Sequence, residues 1–322
     1  MADERRIDTG DSWERRTLER LAFAALEEQR RARRWRIFFR LVLTALLVTL
    51  VVLLHRPRWD GRAVVTGGKD VAAVVQLEGT IQDHGAASAH QVDHALRAAF
   101  AAHPAGVILE ADSPGGSPVQ ADEMYGQIMR LRKRYPHTPI YAVVGDLCAS
   151  GCYYVISATN RIYANQASLV GSIGVLMDGF GFTGIMQKLG IERRLFLAGK
   201  NKGFLDPFSP MTPEHRAFIQ GMLHQIHERF IARVEAGRGA AMSHDNPRLF
   251  SGLAWTGVRA KQLGLIDAFG GVRFVSHHVL KAKHLVNFTP QQGLIDRFTQ
   301  RFGAAATRAV LSDLSGGRPE LR

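Results

Sequence analysis

One serine stands out in the run "GDLCASGCYYVIS", Gly145 to Ser157, where an apolar stretch gives way to a helix-like pattern. Ser150 lies between Ala149 and Gly151, at the point where a strand would end and a helix begin. Two chemistries fit that position. A serine there caps a helix N-terminus by accepting an amide hydrogen. It also makes a nucleophile, because small neighbours let a substrate backbone approach and the first amides of a helix favour developing negative charge. A hydroxyl nucleophile needs a base. None of the thirteen histidines sits in a comparable small-residue setting, and the G-x-S-x-G elbow is not met because Cys148 and Cys152 occupy its glycine positions. The other base is a lysine, neutral only where desolvation disfavours its ammonium. "LFLAGKNKGFL" offers Lys200 and Lys202 between apolar residues.

A second turn, "SPGGS" (Ser113 to Ser117), follows another apolar run. Adjacent glycines expose bare backbone N–H groups, which is what an oxyanion hole requires; Gly115 and Gly116 supply either that or a plain turn before a helix. Cys148 and Cys152, the two cysteines of the chain, exclude a disulfide framework and a four-cysteine zinc site. They are expected as small buried residues, with a local bridge as the alternative. A thiol nucleophile at Cys152 has no base placed for it.

These turns need a scaffold that brings strand ends together. Val71 to Leu77, Gly106 to Asp112, "PIYAVV", "RIYA", "SLVGSIGVLM" and "RRLFLA" read as strands. Helical spacing over Ser88 to His103, Val119 to Arg134, the Ser150 segment, Phe182 to Leu189 and Pro213 to Ala236 alternates with them, and smaller helices run through Asn246 to Leu263. Strands separated by such helices imply crossovers and a largely parallel α/β sheet, whose carboxyl ends line one crevice. The boundaries read as a basic amphipathic segment 1–36, an anchor 37–54, a linker 55–70, a catalytic domain 71–287 and a tail 288–322 with a short amphipathic helix.

The anchor is the strongest compositional feature. Ile37 to Leu54 is eighteen residues with one charge, Arg40, at the short end of what spans a bilayer. No small-x-small cleavage site follows, so the expectation is an uncleaved transmembrane helix. Six arginines from Arg30 to Arg40 against three from His55 to Arg62 put the N-terminus in the cytoplasm and send the rest across. The formal charge of +12 comes from arginines scattered among acids without an aromatic platform, which argues against nucleic acid as a partner.

"SPGGS", "CASGCYYVISATNRIYA", "ASLVGSIGV", "AGKNK" and "AWTGVRAKQLGLID" together resemble the signal peptide peptidase A (protease IV, S49) serine peptidases, in the short single-domain bacterial form, over roughly Val71 to Phe274. The resemblance implies a ClpP/crotonase-like spiral of ββα units and a Ser-Lys dyad, with no metal or organic cofactor. Carried onto this chain, Ser150 is the nucleophile and Lys202, three residues after Gly199, the general base, which sets Lys200 aside. Gly116 and the Ser150 backbone amide form the oxyanion hole, with Gly115 and Gly151 as secondary candidates. Ser172 orients the lysine amine. The family's second glycine after the serine is Cys152 here. By the same resemblance the substrates are signal peptides or other apolar peptides, and the location is a bacterial inner membrane with the catalytic domain periplasmic. The assembly is a homo-oligomeric ring, expected as an octamer, whose active sites are shared between subunits. The alternatives are a crotonase-like acyl-CoA enzyme, which uses the same oxyanion geometry on a thioester, and a proteolytically inactive membrane scaffold.

Overall fold

The computed structural model describes residues 33–49, 68–243 and 246–290. The chain forms two units, one of residues 1–64 with 293–322 and one of residues 65–292. In the first, residues 33–49 form one helix (α1) with its apolar side chains exposed, Phe39 at 61% and Leu41 at 65%. Residues 1–32 of the expected amphipathic segment, 50–54 of the expected anchor, 55–67 of the linker and the tail beyond 290 lie outside the described residues. Among the described residues no helix is long and apolar enough to cross a membrane.

The second unit is built on strands β1 (Val71–Glu78), β2 (Gly106–Ser113), β3 (Ile140–Ala149), β4 (Arg161–Ala164), β5 (Leu169–Gly171), β6 (Ala254–Thr256), β7 (Ala268–Phe269) and β8 (His284–Asn287). They form a mostly parallel sheet in the order β6-β5-β3-β2-β1-β8. Among the described residues only β6 runs antiparallel, against β5. Strand β3 forks: Tyr141 to Val143 pair with β4, which continues to β7, while Leu147 to Ala149 pair with β5. The helices are α2 (Ala89–Ala101), α3 (Pro118–Arg134), α4 (Gly151–Ile156), α5 (Thr183–Lys188), α6 (Pro213–Arg238), α7 (Gly257–Gln262) and α8 (Val272–Phe274), the last continuing as a π-turn over Val275–Val279.

Sequence explains the main helix starts. Ser88, Ser117 and Thr212 each cap with a side-chain oxygen, and Pro118 and Pro213 stand in the first turns of α3 and α6, where a missing N–H costs nothing. The central strands are apolar on both sides because both faces are covered. Ala73, Val75 and Leu77 join Leu109, Phe100, Met124 and Tyr153 in the larger core, while Ala72 and Val74 join Ile108, Val143, Tyr163 and Val275 in a smaller one.

Two expected strands differ. Of "SLVGSIGVLM" only Leu169–Gly171 is strand, and "RRLFLA" forms none. The first runs into, and the second lies within, one segment, residues 175–212, that packs into neither core: Leu176 is 81%, Phe180 80% and Phe196 90% exposed. Apolar residues there satisfy a strand pattern without a neighbouring strand to pair with.

Candidate active site

The turn between β3 and α4 is where the chemistry assembles. Ser150 occupies the N-cap position of α4 at φ 54, ψ −124, a conformation a residue with a Cβ rarely adopts, yet its side chain caps nothing. Its hydroxyl has no hydrogen-bond partner among the described residues, so the capping reading fails and a free, half-buried Oγ remains. The turn is held from both sides. The Ser150 N–H donates to the Gly171 carbonyl at 2.8 Å, and the Ser150 carbonyl accepts from the Tyr154 N–H at 3.1 Å. Downstream, the Tyr153 hydroxyl donates to the Leu265 carbonyl at 2.9 Å and the Tyr154 hydroxyl to Asp122 Oδ1 at 2.6 Å. Burial, with the bond to Asp122 and its charge, pushes the Tyr154 hydroxyl up to about 12. Arg229 and Arg233 also bond Asp122, at 3.0 and 3.1 Å. Burial alone would raise that carboxyl, but the bonds from Tyr154 and Arg229 hold it below the usual range.

Cys148 and Cys152 are disulfide-bonded, with both residues fully buried. The expectation of two separate buried thiols is therefore corrected, and a Cys152 thiolate nucleophile is excluded in this state. The sulfurs meet because Cys148 ends a strand, Cys152 begins a helix, and the reversal at Ser150 folds one over the other.

The glycine turn faces Ser150 directly. A Cβ on Gly115 (φ 94) would stand 2.7 Å from the Ala149 carbonyl oxygen, 2.7 Å from the Gly151 nitrogen and 2.9 Å from Ser150 Cβ. Gly116 (φ 145) is pressed as closely against the Ile81 backbone. Ile81 grips this turn: its N–H donates to the Gly115 carbonyl and its own carbonyl accepts from the Ser117 N–H, both at 2.8 Å. No sequence signal marks Ile81 for that task, because the contact is purely main-chain. One expected oxyanion donor needs correction. The Ser150 amide is committed to Gly171, so it is not free to receive negative charge. The Gly116 and Gly151 N–H groups have no acceptor among the described residues, and a Cβ on Gly151 would lie 3.3 Å from the Gly116 nitrogen. Those two amides lie together beside the serine.

Ser172 follows β5 at φ 52; its hydroxyl donates to the Gly252 carbonyl at 3.1 Å and its N–H to the Leu253 carbonyl at 2.9 Å. With its hydrogen committed, the Oγ retains lone pairs that accept from an amine. Lys202 is exposed within the 175–212 segment and makes no hydrogen bond to Ser150 or Ser172. Lys200 pairs instead with Glu214 at 3.7 Å. The single chain thus brings together Gly115, Gly116, Ser150 and Gly151, with Ser172 on the adjoining strand, and leaves Lys202 at the surface. A pocket of ≈ 270 Å³ lies within that exposed segment, lined by Thr183, Met186, Ile191, Leu195 and Phe208, away from the serine.

Residues 132–287, which include Ser150, Ser172 and Lys202, match the model of Peptidase family S49. That match, just under half of the chain, supports an S49 peptidase domain over those residues. Its similarities extend to proteins much longer than the shared part. Over 237 residues the chain is 37% identical to a Brucella abortus protein named "Na(+)/H(+) antiporter NhaA", a match of 73% of this chain and 30% of that one. It is 34% identical over 165 residues to the Methanocaldococcus jannaschii "Putative protease MJ0651", covering 51% of this chain and 52% of the relative. To the Enterococcus faecium "Putative signal peptide peptidase SppA" it is 29% identical over 184 residues, 57% of this chain and 53% of the relative. The chain therefore spans between 30% and about half of these relatives. The antiporter name belongs to a protein of which the S49-bearing match is the minor part.

Proposed function

We propose that this S49 domain is a serine endopeptidase with a Ser150–Lys202 dyad, anchored in a bacterial inner membrane through residues 37–54 and acting on the far side. The observation that carries the reading is the Ser150 hydroxyl, uncapped, at positive φ and packed against Gly115. Strained, unpartnered nucleophiles are what such turns present. In the mechanism, Lys202 Nζ takes the Ser150 proton as Oγ attacks a peptide carbonyl. The Gly116 and Gly151 amides receive the oxyanion, each contributing about 3 to 4 kcal/mol at the transition state. The lysine then protonates the departing amine, and water cleaves the acyl-serine by the same path. Ser172 Oγ accepts an amine hydrogen and aims the lone pair.

Lys202 reaches the serine of a neighbouring copy in this reading. The exposed 175–212 segment supports it, since Leu176, Phe180 and Phe196 present apolar surface that a second copy would cover, desolvating the lysine in doing so. The expected assembly is a closed ring, an octamer by resemblance, with substrates that are cleaved signal peptides or other membrane-associated apolar peptides. A buried disulfide in the catalytic turn supports an oxidising compartment beyond the membrane.

The test uses the full chain in detergent. A fluorophosphonate should label Ser150 in the wild type and fail in Ser150→Ala and in Lys202→Ala. Mixing the two variants should restore peptide cleavage, because each supplies what the other lacks. Wild-type labelling of Lys202→Ala would remove the dyad, and mixed variants without activity would place base and nucleophile on one chain.

A further inference from the structure

The disulfide sits on the catalytic turn, two residues before and two after Ser150. Cys148 belongs to the centre of the sheet, aligned with Ser113 of β2 on one side and Val170 of β5 on the other. Ser113 Oγ in turn accepts from the Gly115 N–H at 3.1 Å, so one end of the bridge is braced by the residue that shapes the glycine turn. Cys152 lies in the first turn of α4, beside the Gly151 amide. Between the two sulfurs stands a serine at φ 54, where no glycine relieves the backbone. Such a residue relaxes unless its surroundings over-determine it. The hydrogen bonds at the Ser150 N–H and carbonyl fix its flanks; neither prevents α4 from swinging about the turn, and the bridge does. Both cysteines are fully buried, so the bond is a resident brace and not a solvent-facing contact.

We propose that the Cys148–Cys152 disulfide is a positioning element of the catalytic turn, holding Ser150 at positive φ against Gly115 so that Oγ and the Gly151 amide keep the geometry that acylation needs. The inference rests on the serine-peptidase reading above. A displacement near 1 Å at a reacting atom typically costs about 10²-fold in rate, and that is the expected scale.

The experiment compares wild type, Cys148→Ala, Cys152→Ala and the double variant as full chains in detergent. Fluorophosphonate labelling is the readout: Oγ bonds to phosphorus, fluoride leaves and the hydroxyl proton passes to the base. Per folded molecule, all three variants should label about 10²-fold more slowly than wild type, with the loss in kcat and not KM for a peptide substrate. Equal loss in the single and double variants ties the effect to the bond and not to either side chain. A purely structural bridge would lower Tm and leave the labelling rate of the folded protein at the wild-type value, which would overturn the proposal. Should the variants not fold, reduced wild type isolated from a reducing host compartment retains both native side chains. It should label slowly until oxidised glutathione, in dilute urea, takes two electrons and two protons from the thiols and leaves as two glutathiones. Full-speed labelling before that step would equally overturn it. A wild type that is not labelled at Ser150 refutes the peptidase reading itself, whatever the cysteine variants do.

Discussion

Gly115→Ala tests the site most sharply, because its Cβ would enter a space that main chain already fills. Contacts of 2.7 Å to the Ala149 oxygen and the Gly151 nitrogen involve backbone, which cannot rotate away as a flexible side chain would. Holding a non-glycine residue near φ 94 costs about 1 to 3 kcal/mol, and overpacking of this kind adds about 1 to 3 more. The sum, about 2 to 6 kcal/mol, lies within the stability of a domain holding about 10 kcal/mol and leaves a folded protein with a lowered Tm. The cheapest escape is to push the Ser150 turn away from the glycine turn. Labelling by a fluorophosphonate should then fall about 10²-fold or more while the far-UV spectrum is kept. The assay is the second-order labelling rate normalised to folded protein, run beside thermal unfolding. A Gly115→Ala protein that labels at the wild-type rate would mean that the two turns do not press on one another as described.

Other perturbations reach different parts of the molecule. Arg238, 7% exposed, bonds both Asp267 oxygens and the Gly264 carbonyl, so Arg238→Met should cost about 3 kcal/mol in urea unfolding by stranding Asp267; a loss below about 1 kcal/mol would contradict the latch. Burial pushes the Asp93 carboxyl up from 3.8 to about 6 despite Arg97 and Arg130. The folded state therefore holds that proton more tightly than the unfolded chain, and its contribution, present below about pH 4, is lost as pH rises through 6. After discounting for the solvent-exposed part of the group, it amounts to about 1 to 2 kcal/mol. Asp93→Asn should flatten urea midpoints between pH 4.5 and 7; an unchanged slope would reject the assignment. Phe196→Glu, at a position 90% exposed, should leave the stability of the single chain within about 0.5 kcal/mol while abolishing both self-association by light scattering and Ser150 labelling. An associated, fully labelled variant would remove the segment from the assembly.

Much of the scaffold was legible from periodicity. Strands β1 and β2 and helices α2, α3 and α6 stand close to where apolar spacing puts them. Strands β6, β7 and β8 were not, since two to four residues hold too little pattern and their partners are remote in sequence. Within the site, the approach of "SPGGS" to Ser150 followed from parallel strand ends. The donor set did not, because whether an amide points at Gly171 or into the cleft depends on one backbone torsion that no residue type reports. The cysteine bridge was similarly hidden: a four-residue separation looks unremarkable until a reversal at Ser150 brings strand end and helix start together. Lys202 was found by motif alone, and its exposure shows why. In the proposed assembly its surroundings come from a neighbouring copy.

The fork of β3 has a consequence for how this scaffold tolerates change. Its first half is zipped to β4 and β7, its last three residues to β5, and Val144 to Asp146 between them lack a partner on that side. There the Gly145 carbonyl accepts from the Ser168 hydroxyl, while on the β2 side Leu147 N–H turns to Asp112 Oδ1, so the joint is stitched by a side chain and not by a continuous ladder. Because no ladder runs across Val144 to Asp146 on that side, a displacement of the β4–β7 branch should reach the nucleophile weakened. Insertions or fused modules should be absorbed at Ala268 and Phe269 with turnover intact, whereas grafts along β5 and β6 would pull on the serine through Gly171.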